Sequence, residues 1–133
     1  MKKVALLALL ALAVSLLAAC GGSDNSGNTG NNGGSNTITM GVQTFSTNSI
    51  TITKGSTITF TNDPNSGTEH ILLIGTQGTP ATNETGAPDF GANGQTIQVG
   101  KSFTTGAWNT AGTFHVTCAL HPTTMNLTVT VPG

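Results

Sequence analysis

For residues 37–133 the sequence predicts an all-β sandwich, and three observations carry that reading. Apolar residues alternate with hydroxyl residues over short runs, a two-residue period that turns one strand face to a core and the other to water. Turn signals interrupt the runs at Lys54-Gly55, Gly100-Lys101 and Ala111-Gly112. Almost nothing in this region carries the 3.6-residue apolar period of a helix.

Taken in order, Ile38, Met40 and Val42 form the first alternating set, followed by Ile50 and Ile52. Ile58 and Phe60 continue the pattern after the first turn. His70-Ile-Leu-Leu-Ile74 is a denser apolar run headed by a histidine. Ile97 and Val99 lead into the turn at Gly100-Lys101, and Phe103 follows it. Phe114, Val116 and Cys118 share one face of the next strand, so His115 and Thr117 are expected to face out. Leu127, Val129 and Val131 make the last strand, with threonines covering the solvent faces of the sandwich. Only Gly75 to Gly94 resists the pattern. With its Gly-rich turns, two prolines and the isolated Phe90, it is expected as a long loop with room for one short helical turn.

Ahead of this domain the chain changes character twice. Met1-Lys-Lys is followed by Val4 to Ala19, apolar apart from Ser15, which reads as a secretory signal peptide over residues 1–19. Leu17-Ala-Ala-Cys20 resembles the bacterial lipobox. The resemblance implies cleavage before Cys20 and lipidation of its thiol, with enough acyl chain to hold the protein on a membrane. Residues 21–36, GGSDNSGNTGNNGGSN, contain nothing able to anchor a core and read as a flexible tether. Sixteen such residues have an r.m.s. reach of about 20–24 Å. The expected location is outside the cytoplasm, anchored by lipid to the cell envelope membrane.

Charge excludes one class of function. Without residues 1–19 the chain keeps Lys54 and Lys101 against five acidic residues, a formal net charge of −3, and it has no arginine. A surface without basic patches does not bind nucleic acid. Catalysis is not expected either, since no second cluster of metal ligands and no carboxylate pair stands out.

The chemistry is concentrated in Cys118-Ala-Leu-His121-Pro-Thr-Thr-Met125. A thiolate, an imidazole and a thioether fall within eight residues at the end of a strand, and His70 heads another strand upstream. One Cys, two His and one weakly bound Met suit a copper ion that cycles between Cu(I) and Cu(II). Strand parity aims Cys118 at the core, and the chain then turns so that His121 and Met125 can converge on it. His115 has suitable chemistry but the wrong parity, and Glu69 is placed on the face opposite His70 for the same reason. The two cysteines could pair in an exported protein. With Cys20 lipidated they cannot, and a lone exported thiol at Cys118 argues for metal ligation.

This loop resembles the carboxy-terminal ligand loop of the cupredoxins, the family of plastocyanin, amicyanin and pseudoazurin. Their pattern is an upstream His, then Cys-x2-His, then a Met a few residues later; here three residues intervene. Gly112-Thr-Phe114 and Ile52-Thr-Lys-Gly-Ser56 extend the likeness over residues 37–131. The resemblance implies a Greek-key sandwich of about eight strands and one type 1 copper. It also implies strong ligation by His70, Cys118 and His121 and a long axial bond to Met125. One departure is Ile71, where many members carry an Asn that steadies the Cys loop.

The expected function is one-electron transfer without substrate chemistry, by a monomer that docks redox proteins of a membrane electron-transport chain near Leu120, His121 and Pro122. Copper delivery or sequestration is the alternative, since the same ligands would serve it. A third reading is an adhesive sandwich without metal, in which the four residues coincide by chance.

Overall fold

Residues 36–80 and 84–133 are described by a computed structural model of the chain. The expected signal peptide, Cys20 and the tether up to residue 35 lie outside the described residues, as do residues 81–83. No helix among the described residues is long and apolar enough to cross a membrane.

Nine strand segments form two sheets. They are β1 (Thr37–Met40), β2 (Ser49–Thr51), β3 (Thr59–Asn62), β4 (His70–Thr76), β5 (Thr79–Pro80), β6 (Gln95–Ile97), β7 (Ser102–Thr104), β8 (Gly112–Cys118) and β9 (Asn126–Val131). One sheet has the order β1-β3-β7; the other runs β2-β9-β8-β4-β5, with β6 also paired to β4. The pairs β1–β3 and β2–β9 are parallel and the others antiparallel. The chain crosses between the sheets five times, after β1, β2, β3, β6 and β7, as a sandwich built from non-local pairs requires.

The alternating residues fill the space between the sheets. Ile38, Met40 and Phe60 come from the smaller sheet, and Leu72, Phe114, Val116, Leu127, Val129 and Val131 from the larger one. Trp108 closes the core from the connection before β8, its indole N–H donating to the Thr105 hydroxyl at 3.1 Å. A tilted contact with Phe114, ring centroids 5.4 Å apart, seats it against the larger sheet.

Hydroxyl residues cover the outer faces. On the smaller sheet Thr37, Thr59 and Thr104 lie in one cross-strand row and Thr39, Thr61 and Ser102 in the next. Their hydroxyls bond across β3 and β7, Thr59 to Thr104 at 2.9 Å and Thr61 to Ser102 at 3.0 Å. On the larger sheet Ser49, Thr51, Thr113, Thr128 and Thr130 repeat the arrangement.

Four expectations are corrected. Val42 does not continue the first strand: the chain bends at Gly41, whose N–H donates to the Thr44 carbonyl at 2.9 Å, and Val42 is exposed. Val99 sits in the turn rather than the core and is also exposed. Thr117 does not face solvent but is fully buried, because the hairpin of β4 and β5 folds over that end of β8. The span from Gly75 to Gly94 is not one long loop. It opens with that hairpin, whose turn residues Gln77 and Gly78 both have positive φ (50° and 71°), as a tight two-residue connection demands.

The rest of the span has two attachments. Phe90 is buried between Phe60 and Phe103, with ring centroids 6.2 Å and 5.5 Å away in edge-on contacts. Glu84 accepts from both the His115 backbone N–H (2.6 Å) and the His115 ring (2.8 Å) on the outer side of β8. His115 therefore faces away from the core, as parity requires, and is committed to a carboxylate.

Candidate metal centre

The register of β4 against β8 sets the geometry. Leu72 lies opposite Cys118, and His70, two residues earlier on the same buried face of β4, extends past the end of β8 over the thiol. His70 and Cys118 are both fully buried. After Cys118 the Ala119 N–H donates to the Ile71 carbonyl at 2.8 Å, which ties the departing loop to β4 through main chain alone. The side chain expected to steady the loop is missing at Ile71, but its backbone supplies an anchor.

Between Cys118 and β9 the chain makes a single coil. The His121 N–H donates to the Cys118 carbonyl (3.3 Å), and the Met125 N–H to the His121 carbonyl (3.0 Å). This coil returns the His121 ring to Cys118 and delivers Met125, fully buried, at the foot of β9. The Met125 carbonyl closes the loop by accepting from the Cys118 N–H at 3.1 Å. The Asn126 carboxamide braces it from outside, donating to the Pro122 carbonyl at 2.8 Å and accepting from the Gln77 N–H at 2.9 Å.

Three side chains of the expected set thus meet. Cys118 Sγ is 3.8 Å from His70 Nδ1 and 3.7 Å from His121 Nδ1, and the three donor atoms lie within 4.8 Å of one another. An ion held about 2.3 Å from sulfur and about 2.0 Å from nitrogen, with an angle near 120°, would separate the two donors by about 3.7 Å. The sulfur–nitrogen distances therefore suit a trigonal Cys-His-His arrangement, the geometry associated with a weak axial Met. Among the described residues, neither His115 nor any carboxylate belongs to this cluster.

The tautomer of His70 follows from its surroundings. Its Nε2 lies 2.9 Å from the Gly41 carbonyl, which can only accept, so Nε2 carries the hydrogen and Nδ1 presents its lone pair to the site. Burial holds the His70 pKa below its ordinary 6.5, and the neighbouring His121 adds to this against the opposing pull of the Gly41 carbonyl. A neutral, pre-oriented imidazole is what a metal requires. Asn62, fully buried, secures this end of β4. Its side-chain amide donates to the Thr68 carbonyl (2.9 Å) and to that of Ile97 (3.0 Å), the residue paired with His70 across β6. Asn62 and Thr117 are site-supporting residues that the sequence reasoning missed. The only signal for Asn62 is a polar residue at an inward position of a strand.

A β-sandwich with Cys, two His and Met gathered at one pole defines a small blue copper protein, its residues arranged as a type 1 copper site. The chain matches the copper-binding plastocyanin/azurin family over residues 33–132 and belongs to that family. No curated protein sequence matches it. Among solved structures, a reduced Cu(I) form of an amicyanin variant at pH 4 is 17% identical, with a TM-score of 0.55 over 74% of this chain and 82% of that one. Oxidized plastocyanin from Dryopteris crassirhizoma is 22% identical, with a TM-score of 0.55 over 71% of this chain and 98% of that one. Amicyanin from Paracoccus versutus is 19% identical, with a TM-score of 0.50 over 71% of this chain and 78% of that one. At these identities the likeness is one of fold.

The depressed pKa of His70 has a definite sign in its effect on stability. Below pH 6.5 the unfolded chain takes up a proton that the folded His70 refuses, so the metal-free protein loses stability as the pH falls. Chemical denaturation of the metal-free protein between about pH 7 and pH 5.5, above the carboxylate range, should show the midpoint falling. The fall should be shallower in His70→Asn. A midpoint that stays level or rises would contradict the assignment.

Proposed function

We propose that this protein is a one-electron carrier outside the cytoplasm, with His70, Cys118 and His121 as strong copper ligands and Met125 as the long axial one. The observation that carries the reading is the assembly of three donors around one point by elements tied to one another through strand pairing and backbone hydrogen bonds. When bound, copper supplies a one-electron couple whose two oxidation states are both served by imidazole, thiolate and thioether. The protein's part is to hold those donors still. His70 is fixed by Gly41 on one side and by β6 on the other. Cys118 is fixed by the sheet, and His121 by the coil it starts. A frame of this kind keeps the same geometry in either charge state. It is not suited to release of the ion to an acceptor.

His121 is the conduit in this reading. It is half-buried at the pole, flanked by Leu120, which is 44% exposed, and by half-buried Ala119 and Pro122. An apolar patch of this size favours brief, weakly held encounters with redox proteins. No catalytic role is assigned to the protein. Lipid on Cys20 and the tether of residues 21–36 would keep the domain close to a membrane where such partners reside, and a monomer suffices for this task.

An optical and EPR spectrum of the Cu(II)-loaded protein tests the centre. The expected result is a strong visible thiolate-to-copper band with narrow copper hyperfine splitting, both lost in Cys118→Ser. A colourless protein, or one binding copper equally well without Cys118, would rule the centre out. For the docking patch, Leu120→Lys should slow electron exchange with a partner by about tenfold, the equivalent of about 1.4 kcal/mol, while the copper spectrum stays as it was. An unchanged rate would move the contact elsewhere. For the anchor, Cys20→Ser should shift the protein from the membrane fraction to the soluble one, and continued membrane association would exclude lipid as the attachment.

A further inference from the structure

Thr117 is the residue next to the site that neither strand alternation nor the ligand pattern explains. It lies on the outer face of β8, yet it is fully buried. A buried hydroxyl is costly unless it is bonded, and this one uses both of its capacities. Thr117 Oγ1 accepts from the Gly78 N–H at 2.9 Å and donates to the Met125 carbonyl at 3.2 Å. A valine would fill the same space, so packing alone does not call for the oxygen.

The two ends of this short relay are both unusual. Gly78 has φ of +71°, and a Cβ there would stand 2.8 Å from the Cβ of Pro122 and 3.5 Å from the Ala119 backbone. The turn is therefore pressed against the ligand loop in a way that only glycine permits. At the other end, the Met125 carbonyl takes the Cys118 N–H as well as the Thr117 hydroxyl. One oxygen thus links the backbone of the thiolate residue to that of the thioether residue, and Thr117 holds that oxygen to the β4–β5 turn.

Resting on the copper reading above, we propose that Thr117 is a positioning residue for Met125, fixing the main chain from which the axial thioether hangs. With copper bound, a weakly held thioether would be the ligand most sensitive to a small displacement of its main chain, and such a ligand would tune the centre. Without the hydroxyl, the Gly78 amide loses its acceptor and the Met125 carbonyl keeps only one of its two donors.

The test compares the full chain with Thr117→Val, which keeps the shape and removes the hydroxyl, and with Thr117→Ser, which keeps the hydroxyl. In the metal-free proteins, hydrogen exchange at the Gly78 amide should be about five- to tenfold faster in the Val variant, the equivalent of one net hydrogen bond. The Ser variant should exchange like the native protein. After loading with Cu(II), the Val variant should show a changed intensity ratio of the thiolate–copper bands and altered EPR anisotropy. Its copper should pass to a chelator about tenfold faster, and Ser should restore all three. A Val variant with the native spectrum and release within about twofold of native, or a Ser variant as displaced as Val, would overturn the role of Thr117 alone. A native chain with no thiolate–copper band would overturn the copper reading and this inference together.

Discussion

The antiparallel pairing of β4 with β8 places Leu72 opposite Cys118, and the metal end of the molecule follows from that register. Because side chains alternate along a strand, this register sends His70 and Cys118 to the same side, although 48 residues separate them in sequence. A slip of one residue would turn His70 to the outer face. The register is held by the buried rows that continue below the site, where Leu72, Val116, Phe114, Leu127 and Val129 share the core. The apolar core and the metal pole are thus one construction, and the first positions the second.

Around that frame a small set of polar contacts does the finer positioning. The Gly41 carbonyl chooses the tautomer of His70, and Asn62 fastens the strand that bears it. Backbone bonds from Ala119 to Ile71 and from Met125 to His121 shape the ligand loop without a dedicated side chain. The Asn126 carboxamide joins that loop to the Gln77-Gly78 turn. Every one of these contacts has a main-chain group as at least one partner, so the site depends on the backbone path as well as on the few side chains that reach it.

That dependence on main chain also marks the limit of what could be read beforehand. The inward faces of β1, β3, β8 and β9 were legible because apolar residues recur there with period two; His70, Cys118, His121 and Met125 were legible because their chemistry is rare and their spacing short. Val42 and Val99 continued the same alternation but lie beyond the point where the chain bends, and alternation carries no information about where pairing stops. Thr117 was misplaced because parity describes a single sheet, whereas its burial comes from a hairpin elsewhere in the chain folding over it. The attachments of Glu84 to His115 and of Phe90 to Phe60 and Phe103 are long-range contacts made by a segment with no period of its own. Only the folded chain shows them.

The hydroxyl rows on the outer faces have a consequence for the setting in which the protein works. Most soluble domains keep apart through surface charge, which titrates with acidity and is screened by salt. Here the sheets are wetted chiefly by threonine and serine, which neither titrate in the ordinary range nor respond to ionic strength. Such a surface has nearly the same hydration in fresh or saline, neutral or mildly acidic surroundings. Sheets covered in this way keep the same charge state through changes of acidity and salt that alter a surface built on carboxylates and lysines.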